Sequence, residues 1–291
     1  MRKTLALFLI LTSFALPALA QGGAIPAGGR IDGTVASFPG VQNVDVAALR
    51  AFLDANPSLT EVELYEANLG HDEMLALADA YPDVFFGFTI RLAEHTLRTD
   101  QTAFSTLHSK HSKQHTSQDF RVLRLMKRLK ALDIGHNAVT DISFLYDLPD
   151  IRILIIAINN ITDITPVGSL KDLEFLEMFN NQVTDISPLV NNTKLLDLNI
   201  GFNRIEDLTP LASLPQLERL WMYSYRRRSQ EPTREVREQV RQMLPNTQVN
   251  FVNYPTLAGW REHQRYYVLH AVFKNSTWLP WDADVPVVKQ P

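Results

Sequence analysis

The sequence predicts an α/β fold, a right-handed solenoid in which each turn contributes one short strand to a parallel sheet. The first observation behind this prediction is a repeat of 22 residues between positions 129 and 225. Four full units and a shortened fifth begin at Leu129, Ile151, Leu173, Leu195 and Leu217. The second observation is that large apolar residues recur at the first, fourth and sixth places of each unit. A repeat of this kind predicts turns that bury their apolar sides against one another.

The fourth and sixth places explain the sheet. They are two residues apart, so on a strand both side chains point to the same side. The fourth-place leucines should therefore stack in one row: Leu132, Leu154, Leu176 and Leu198. The ninth place is asparagine, whose amide both donates to and accepts from backbone groups of adjacent turns. We predict a ladder formed by Asn137, Asn159, Asn181 and Asn203.

The second half of each unit is too short for a long helix. A hydroxyl residue followed by proline, as in Thr165-Pro166 and Ser187-Pro188, indicates a helix start, so short 3-10 turns are expected on the convex side. One aspartate recurs beside each turn: Asp141, Asp163, Asp185 and Asp207. Calcium sites need several converging oxygens, so we interpret these residues as caps of the turns rather than as metal ligands.

This stretch resembles the internalin-type leucine-rich repeats of bacterial surface proteins. The run Asn181-Gln182-Val183-Thr184-Asp185-Ile186-Ser187-Pro188-Leu189 carries the likeness, and the tail sequence GWREH at 259–263 is similar to that of exported bacterial leucine-rich-repeat proteins. The resemblance covers about a third of the chain. It implies a leucine-rich-repeat solenoid with a parallel concave sheet. It does not specify the ligand, because such repeats host many unrelated ones.

The predicted organisation has six parts. They are a signal peptide at 1–20, a flexible Gly-rich tether at 21–42, divergent N-terminal repeats with a His-rich insert at 43–128, the repeats at 129–225, a C-terminal cap at 226–254 and an aromatic tail at 255–291. Arg2 and Lys3, an apolar run and Ala18-Leu19-Ala20 indicate export, so an extracellular or periplasmic location is expected. The apolar run is shorter than the ~20 residues of a membrane span.

The N-terminal end of the solenoid should be a helical cap. We predict a helix that begins after Asp45 and a second helix at 72–80. Between them, Val62 and Leu64 take the inward places of a strand. A second strand should follow the second helix, with Phe86 and Phe88 in the equivalent places.

The C-terminal end should be a helical cap as well. We predict a helix at 233–244 and a strand with Val249. The tail that follows is rich in aromatic residues, so it should dock on the solenoid with a helix at 260–274.

The concave face is the predicted binding site for a protein or peptide, with a glycan as a further option. Its third, fifth, seventh and eighth places carry many large apolar or aromatic side chains, including Ile153, Ile155 and Ile158, where solvent should favour polar ones. The candidate ligand-binding residues are Phe175, Glu177, Phe179, Asp197, Asn199, Phe202, Arg219, Trp221 and Tyr223. The alternative is a structural scaffold in which the protein's own tail covers this face.

A third reading is a metal-binding protein. His108, His111 and His115 lie at helical spacing, and His95 could approach from a hairpin around residues 93–94. The alternative is a solvated polar insert. No nucleophile elbow, HExxH or phosphate loop is present, so neither an enzyme nor a cofactor is expected. A net charge of -4 gives no reason to expect nucleic acid, and we expect a monomer without a membrane span in the mature chain.

Overall fold

The strands of the computed structural model form two sheets. Residues 28–106, 114–226, 231–252 and 263–287 are described, so the predicted signal peptide lies outside the described residues. The strands are β1 Arg30–Asp32, β2 Val35–Ser37, β3 Glu61–Leu64, β4 Phe85–Leu92, β5 His95–Arg98, β6 Ala103–Ser105, β7 Ala131–Asp133, β8 Ile153–Ile155, β9 Phe175–Glu177, β10 Asp197–Asn199, β11 Arg219–Trp221 and β12 Gln248–Asn250. The helices are α1 Val46–Ala55, α2 His71–Ala80, α3 Ser117–Phe120, α4 Arg234–Met243 and α5 Gln264–Asn275.

The larger sheet contains β6 to β12 in sequence order, and each strand is parallel to its neighbours. The predicted leucine row is confirmed, because Leu132 pairs with Leu154, then Leu176 and Leu198 follow in the same register. The row extends to Leu220 and Val249 at one end. The chain therefore folds as a leucine-rich-repeat solenoid, with the leucines fully buried inside it.

The asparagine ladder is confirmed, and Asn159 shows how it works. Its Oδ1 accepts the Val139 amide at 3.0 Å, and its Nδ2 donates to the Ile134 carbonyl at 3.0 Å and the Ile156 carbonyl at 3.1 Å. The side chain thus satisfies backbone groups of its own turn and of the preceding one. All four ladder asparagines are buried.

Short 3-10 turns return the chain between strands, as predicted: Ser143–Asp147, Thr165–Ser169, Ser187–Asn191 and Thr209–Ser213. The recurring aspartates cap them. For example, Asp163 Oδ1 accepts the Thr165 amide at 2.7 Å, and Asp185 Oδ1 accepts the Ser187 amide at 2.7 Å. Each carboxylate is therefore engaged with its own turn.

The N-terminal cap follows the predicted pattern. The Asp45 carboxylate accepts the Ala47 amide at the start of α1, and α2 ends at Ala80. Strands β3 and β4 are parallel, and Val62 pairs with Phe86, which confirms that the two strands hold equivalent places in successive units. The smaller sheet has the order β1 to β5, and β4 and β5 form the hairpin expected near Ala93.

The tether prediction was wrong for its second half. Strands β1 and β2 form a hairpin, and β2 pairs in parallel with β3. Ala36 and Phe38 are buried, so this segment belongs to the core. The glycines that suggested a linker include Gly33, whose φ of 60° supports the hairpin turn.

The first strand of the larger sheet is β6, which the sequence did not reveal. Phe104 pairs with Leu132, and the chain between these two residues is longer than in a regular unit. The helix that follows, α3, begins with a capping box in which the Asp119 carboxylate accepts the Thr116 amide at 2.7 Å. The helix is short, and a 3-10 turn at Arg121–Leu125 completes it.

The C-terminal cap agrees with the prediction: Thr233 caps α4, and β12 pairs with β11. The predicted tail helix is shorter than expected within the described residues, where it begins at Gln264. Trp260 lies outside the described residues.

Candidate functional site

The C-terminal tail lies on the face of the larger sheet that was predicted to be concave. We call this face, which carries the third- and fifth-place side chains, the outer face. Four residues of α5 are buried against it: Val268, Leu269, Val272 and Phe273. Their partners on the sheet are Ala103, Ala131, Ile153, Phe175 and Trp221. The third-place residues of β6 to β9 are therefore apolar because α5 packs on them.

The chain after α5 extends this cover. Trp281 Nε1 donates to Glu174 Oε2 at 2.6 Å, and the Trp281 ring centroid lies 6.3 Å from that of Phe175. The Trp278 amide donates to Thr102 Oγ1 at 2.8 Å, beside β6. The tail is thus held to the sheet by hydrogen bonds as well as by apolar contact.

A buried ionic cluster fastens the first turn of α5. Arg265 Nε donates to Asp197 Oδ2 at 2.5 Å, and Arg265 Nη2 donates to Glu218 Oε2 at 2.6 Å. Arg219 Nε donates to the other oxygen of Asp197. Asp197 is fully buried, and two guanidinium groups balance its charge inside the protein.

For part of the outer face, the structure agrees with the alternative in which the protein's own tail is the cover. Five of the candidate ligand-binding residues are buried: Phe175, Asp197, Asn199, Arg219 and Trp221. The tail covers the face on which they lie. For Phe175, Trp221 and Asp197, the pattern that suggested a binding surface reflects contact with the protein's own tail.

Four candidates stay partly exposed: Glu177, Phe179, Phe202 and Tyr223. We call them the open strip. They lie at or just after the ends of β9, β10 and β11, and the ring centroids of Phe202 and Tyr223 are 5.3 Å apart in an edge contact. Aromatic rings that remain accessible beside a covered face are available to a ligand.

A polar groove adjoins the open strip. Its volume is about 510 Å³, and it includes Phe202 in its lining. The other side chains that project into reach of a ligand are polar: Asn160, Asn180, Gln182, Arg204 and Arg226. Amides supply both donors and acceptors, and guanidinium groups supply donors, so the groove can pair with a peptide backbone or a sugar.

The structure brings two of the four predicted metal-ligand candidates together. His95 at the start of β5 and His115 before α3 have ring centroids 6.2 Å apart. A carboxylate oxygen of Glu94 lies within 4.8 Å of a ring nitrogen of each. Burial lowers the pKa of His95 below its usual range, with His115 adding to the effect and Glu94 opposing it. His108 and His111 lie outside the described residues.

Three functional candidates were missed from the sequence. Glu94 was placed in the hairpin but not among the metal ligands. Arg265 and Glu218 have no periodic signal, because the partner of Arg265 lies in another part of the chain. An arginine among the apolar residues of a docking helix was the one available hint.

Comparison with known proteins agrees with the repeat assignment. A family model described as leucine-rich repeats, in two copies, matches residues 151–191. No curated protein matches the chain. The chain is similar to internalin C2 of Listeria monocytogenes, with 20% identity over 78% of this chain and 76% of that one and a TM-score of 0.34.

Two further solved structures are similar at comparably low sequence identity. One is a second Listeria monocytogenes internalin, with 20% identity over 75% and 68% of the two chains and a TM-score of 0.38. The other is a leucine-rich-repeat protein of Leptospira interrogans, with 16% identity over 72% and 52% and a TM-score of 0.40. These similarities are too distant to indicate what this chain binds.

Within the described residues, no helix is long and apolar enough to span a bilayer.

Proposed function

We propose that this protein is an exported bacterial leucine-rich-repeat recognition module that binds a protein or peptide ligand along the open strip and the adjoining groove. The observation that carries the proposal is the pairing of accessible aromatic rings at Phe202 and Tyr223 with a groove lined by amides and arginines. Antibody paratopes likewise combine rigid aromatic anchors with adaptable polar residues such as asparagine.

Each part of this surface has a separate role. Phe179, Phe202 and Tyr223 supply apolar contact area, and Glu177 supplies one negative charge at the end of β9. The two groove arginines are exposed, so the groove presents positive charge to a ligand. A ligand that inserts apolar side chains between the rings and places acidic or carbonyl groups in the groove would match both features.

A structural scaffold is the second candidate, and the docked tail supports it. The tail covers the third-place row from β6 to β9 and buries Trp221, as the scaffold alternative requires. The two candidates differ at the open strip, because a scaffold needs no accessible rings there.

The test uses the mature full-length chain against a displayed library of peptides and a glycan array. Tyr223→Ser and Phe202→Ser should each weaken binding of a selected peptide by about 10-fold or more, the effect of losing one aromatic anchor. Tyr146→Ser is the matched control, because Tyr146 is an exposed tyrosine on a 3-10 turn, away from the strip.

If only glycans are selected, the ligand is a sugar rather than a protein or peptide. No selected ligand, or ligands insensitive to both strip variants, would favour the scaffold.

A further inference from the structure

Three potential metal ligands converge at the N-terminal end of the larger sheet. Glu94 and His95 come from the turn between β4 and β5, and His115 comes from the segment before α3. One ligand atom from each lies within 4.8 Å of the other two. We infer that Glu94, His95 and His115 bind one zinc ion.

The distances allow such a site. Zinc bonds of about 2.0 to 2.2 Å in a tetrahedral arrangement place ligand atoms roughly 3.3 to 3.6 Å apart. The ligand atoms therefore have to approach by at most about 1.5 Å, which a change of side-chain torsion achieves. Glu94 is exposed and can make this adjustment without disturbing the core.

The two histidines are held in place from both sides. The His115 amide donates to Asn137 Oδ1 at 2.8 Å, so the first asparagine of the ladder fixes its backbone. The His95 ring makes an edge contact with Phe104 at 5.3 Å, and the His115 ring lies 5.4 Å from Phe120. These phenylalanines exclude water from one side of the pair.

His95 Nε2 is the second observation that points to an ion. Among the described residues this buried nitrogen has no hydrogen-bond partner, and it lies 3.6 Å from Glu94 Oε1, beyond hydrogen-bond range. A buried polar atom without a partner costs free energy, and such atoms are rare unless an ion or water supplies the contact. A zinc ion between His95, His115 and Glu94 would satisfy it.

The ligand types favour zinc over hard cations. Two imidazoles and one carboxylate form a set that zinc uses, whereas calcium and magnesium take oxygen ligands. A cavity of about 530 Å³ begins beside His95 and is also lined by Gln101, Ser105 and His270. The fourth zinc position can therefore be filled from this cavity by water or a small ligand.

The test is titration of the tag-free full-length mature chain with Zn²⁺ by calorimetry, together with the visible absorption of tetrahedral Co²⁺. We expect one ion per chain. Glu94→Gln removes the charge and keeps the shape, and His95→Phe keeps the ring contact with Phe104 but removes the nitrogen. Each should weaken zinc binding at least about 10- to 100-fold, the loss that even outer partners of metal ligands cause.

His136→Asn is the control. His136 is an exposed histidine with φ of 59°, and the equivalent place of a later repeat, Asn180, has φ of 55°, so asparagine fits there. Circular dichroism in the presence of a chelator shows that each variant is folded. Absence of stoichiometric zinc, or unchanged affinity in either site variant, would overturn the inference. The open strip lies on other strands, so this failure would leave the proposed function untouched.

Discussion

Arg265 of the tail helix donates its Nε to Oδ2 of Asp197 at 2.5 Å, and this buried contact joins the end of the chain to the middle of the repeat sheet. Arg219 holds the other carboxylate oxygen. The tail helix therefore completes the charge balance of the sheet as well as covering its apolar row.

Removing the Asp197 carboxylate should lower the free energy of unfolding. Asp197→Ala leaves two buried arginines facing each other, so we expect a loss on the order of 3 to 5 kcal/mol in the free energy of unfolding. Arg234→Ala is the control, because that arginine forms an exposed pair with Glu238, worth roughly 0.3 to 0.5 kcal/mol. Urea unfolding measures both. A loss below about 1 kcal/mol for Asp197→Ala would show that the cluster is not buried as described.

Asp133 should make stability depend on pH. Burial raises the pKa of this carboxyl to about 6, although the Gly135 amide and Ser105 hydroxyl donate to it. The folded state then binds more protons than the unfolded state between about pH 4 and 6, so stability falls as pH rises through that window. At one pKa unit per 1.36 kcal/mol, the loss is on the order of 3 kcal/mol.

Asp133→Asn should remove this pH dependence. The fold already accepts asparagine at the equivalent place, because Asn199 Oδ1 accepts the Gly201 amide at 3.1 Å as Asp133 Oδ1 accepts the Gly135 amide at 3.0 Å. We expect the variant to be more stable than the natural protein at pH 7 and similar near pH 4. Denaturant midpoints across the range give the difference, and a constant difference at every pH would contradict the assignment.

The asparagine ladder predicts different costs for adjacent residues. Asn159→Ala removes the partner of several buried backbone groups and should cost about 1 to 3 kcal/mol in unfolding free energy. Asn160→Ala changes the next residue, which is exposed, and should cost less than about 0.5 kcal/mol. Equal unfolding midpoints for the two variants would show that the ladder asparagine does not contribute this stability.

Periodic features were predictable, because each depends on contacts between equivalent positions. Leu154 contacts the same place of the next turn, and Asn159 bonds the turn before it, so the repeat itself encodes both. Strand β6 escaped notice because only Phe104 is large and apolar there and its distance along the chain from Leu132 exceeds one regular unit. Glycine content concealed the hairpin of β1 and β2 for a similar reason, since a single buried strand gives too short a pattern.

The candidate site was predicted only in part. Phe202 and Tyr223 were named and remain accessible, whereas Phe175 and Trp221 were named and are covered. An apolar residue on a sheet face indicates that something packs there, but not whether the cover is a partner or the same chain. The contact between Arg265 and Asp197 decides this, and its sequence separation leaves no local signal.

The central claim is that the tail covers the third-place row and leaves the open strip accessible. The chain has no cysteine, so a single introduced thiol reports local exposure. Ile153→Cys places a thiol in the third-place row under α5, and Phe202→Cys places one in the open strip. Thiol-labelling rates in the folded protein compare the two directly.

We expect the thiol at position 153 to react at least about 10-fold more slowly than the one at position 202, because labelling first requires the tail to open. Adding Arg265→Ala should accelerate labelling at position 153 and leave position 202 unchanged. Equal rates at both positions in the intact protein would contradict the account, because the tail would then not cover the sheet in solution.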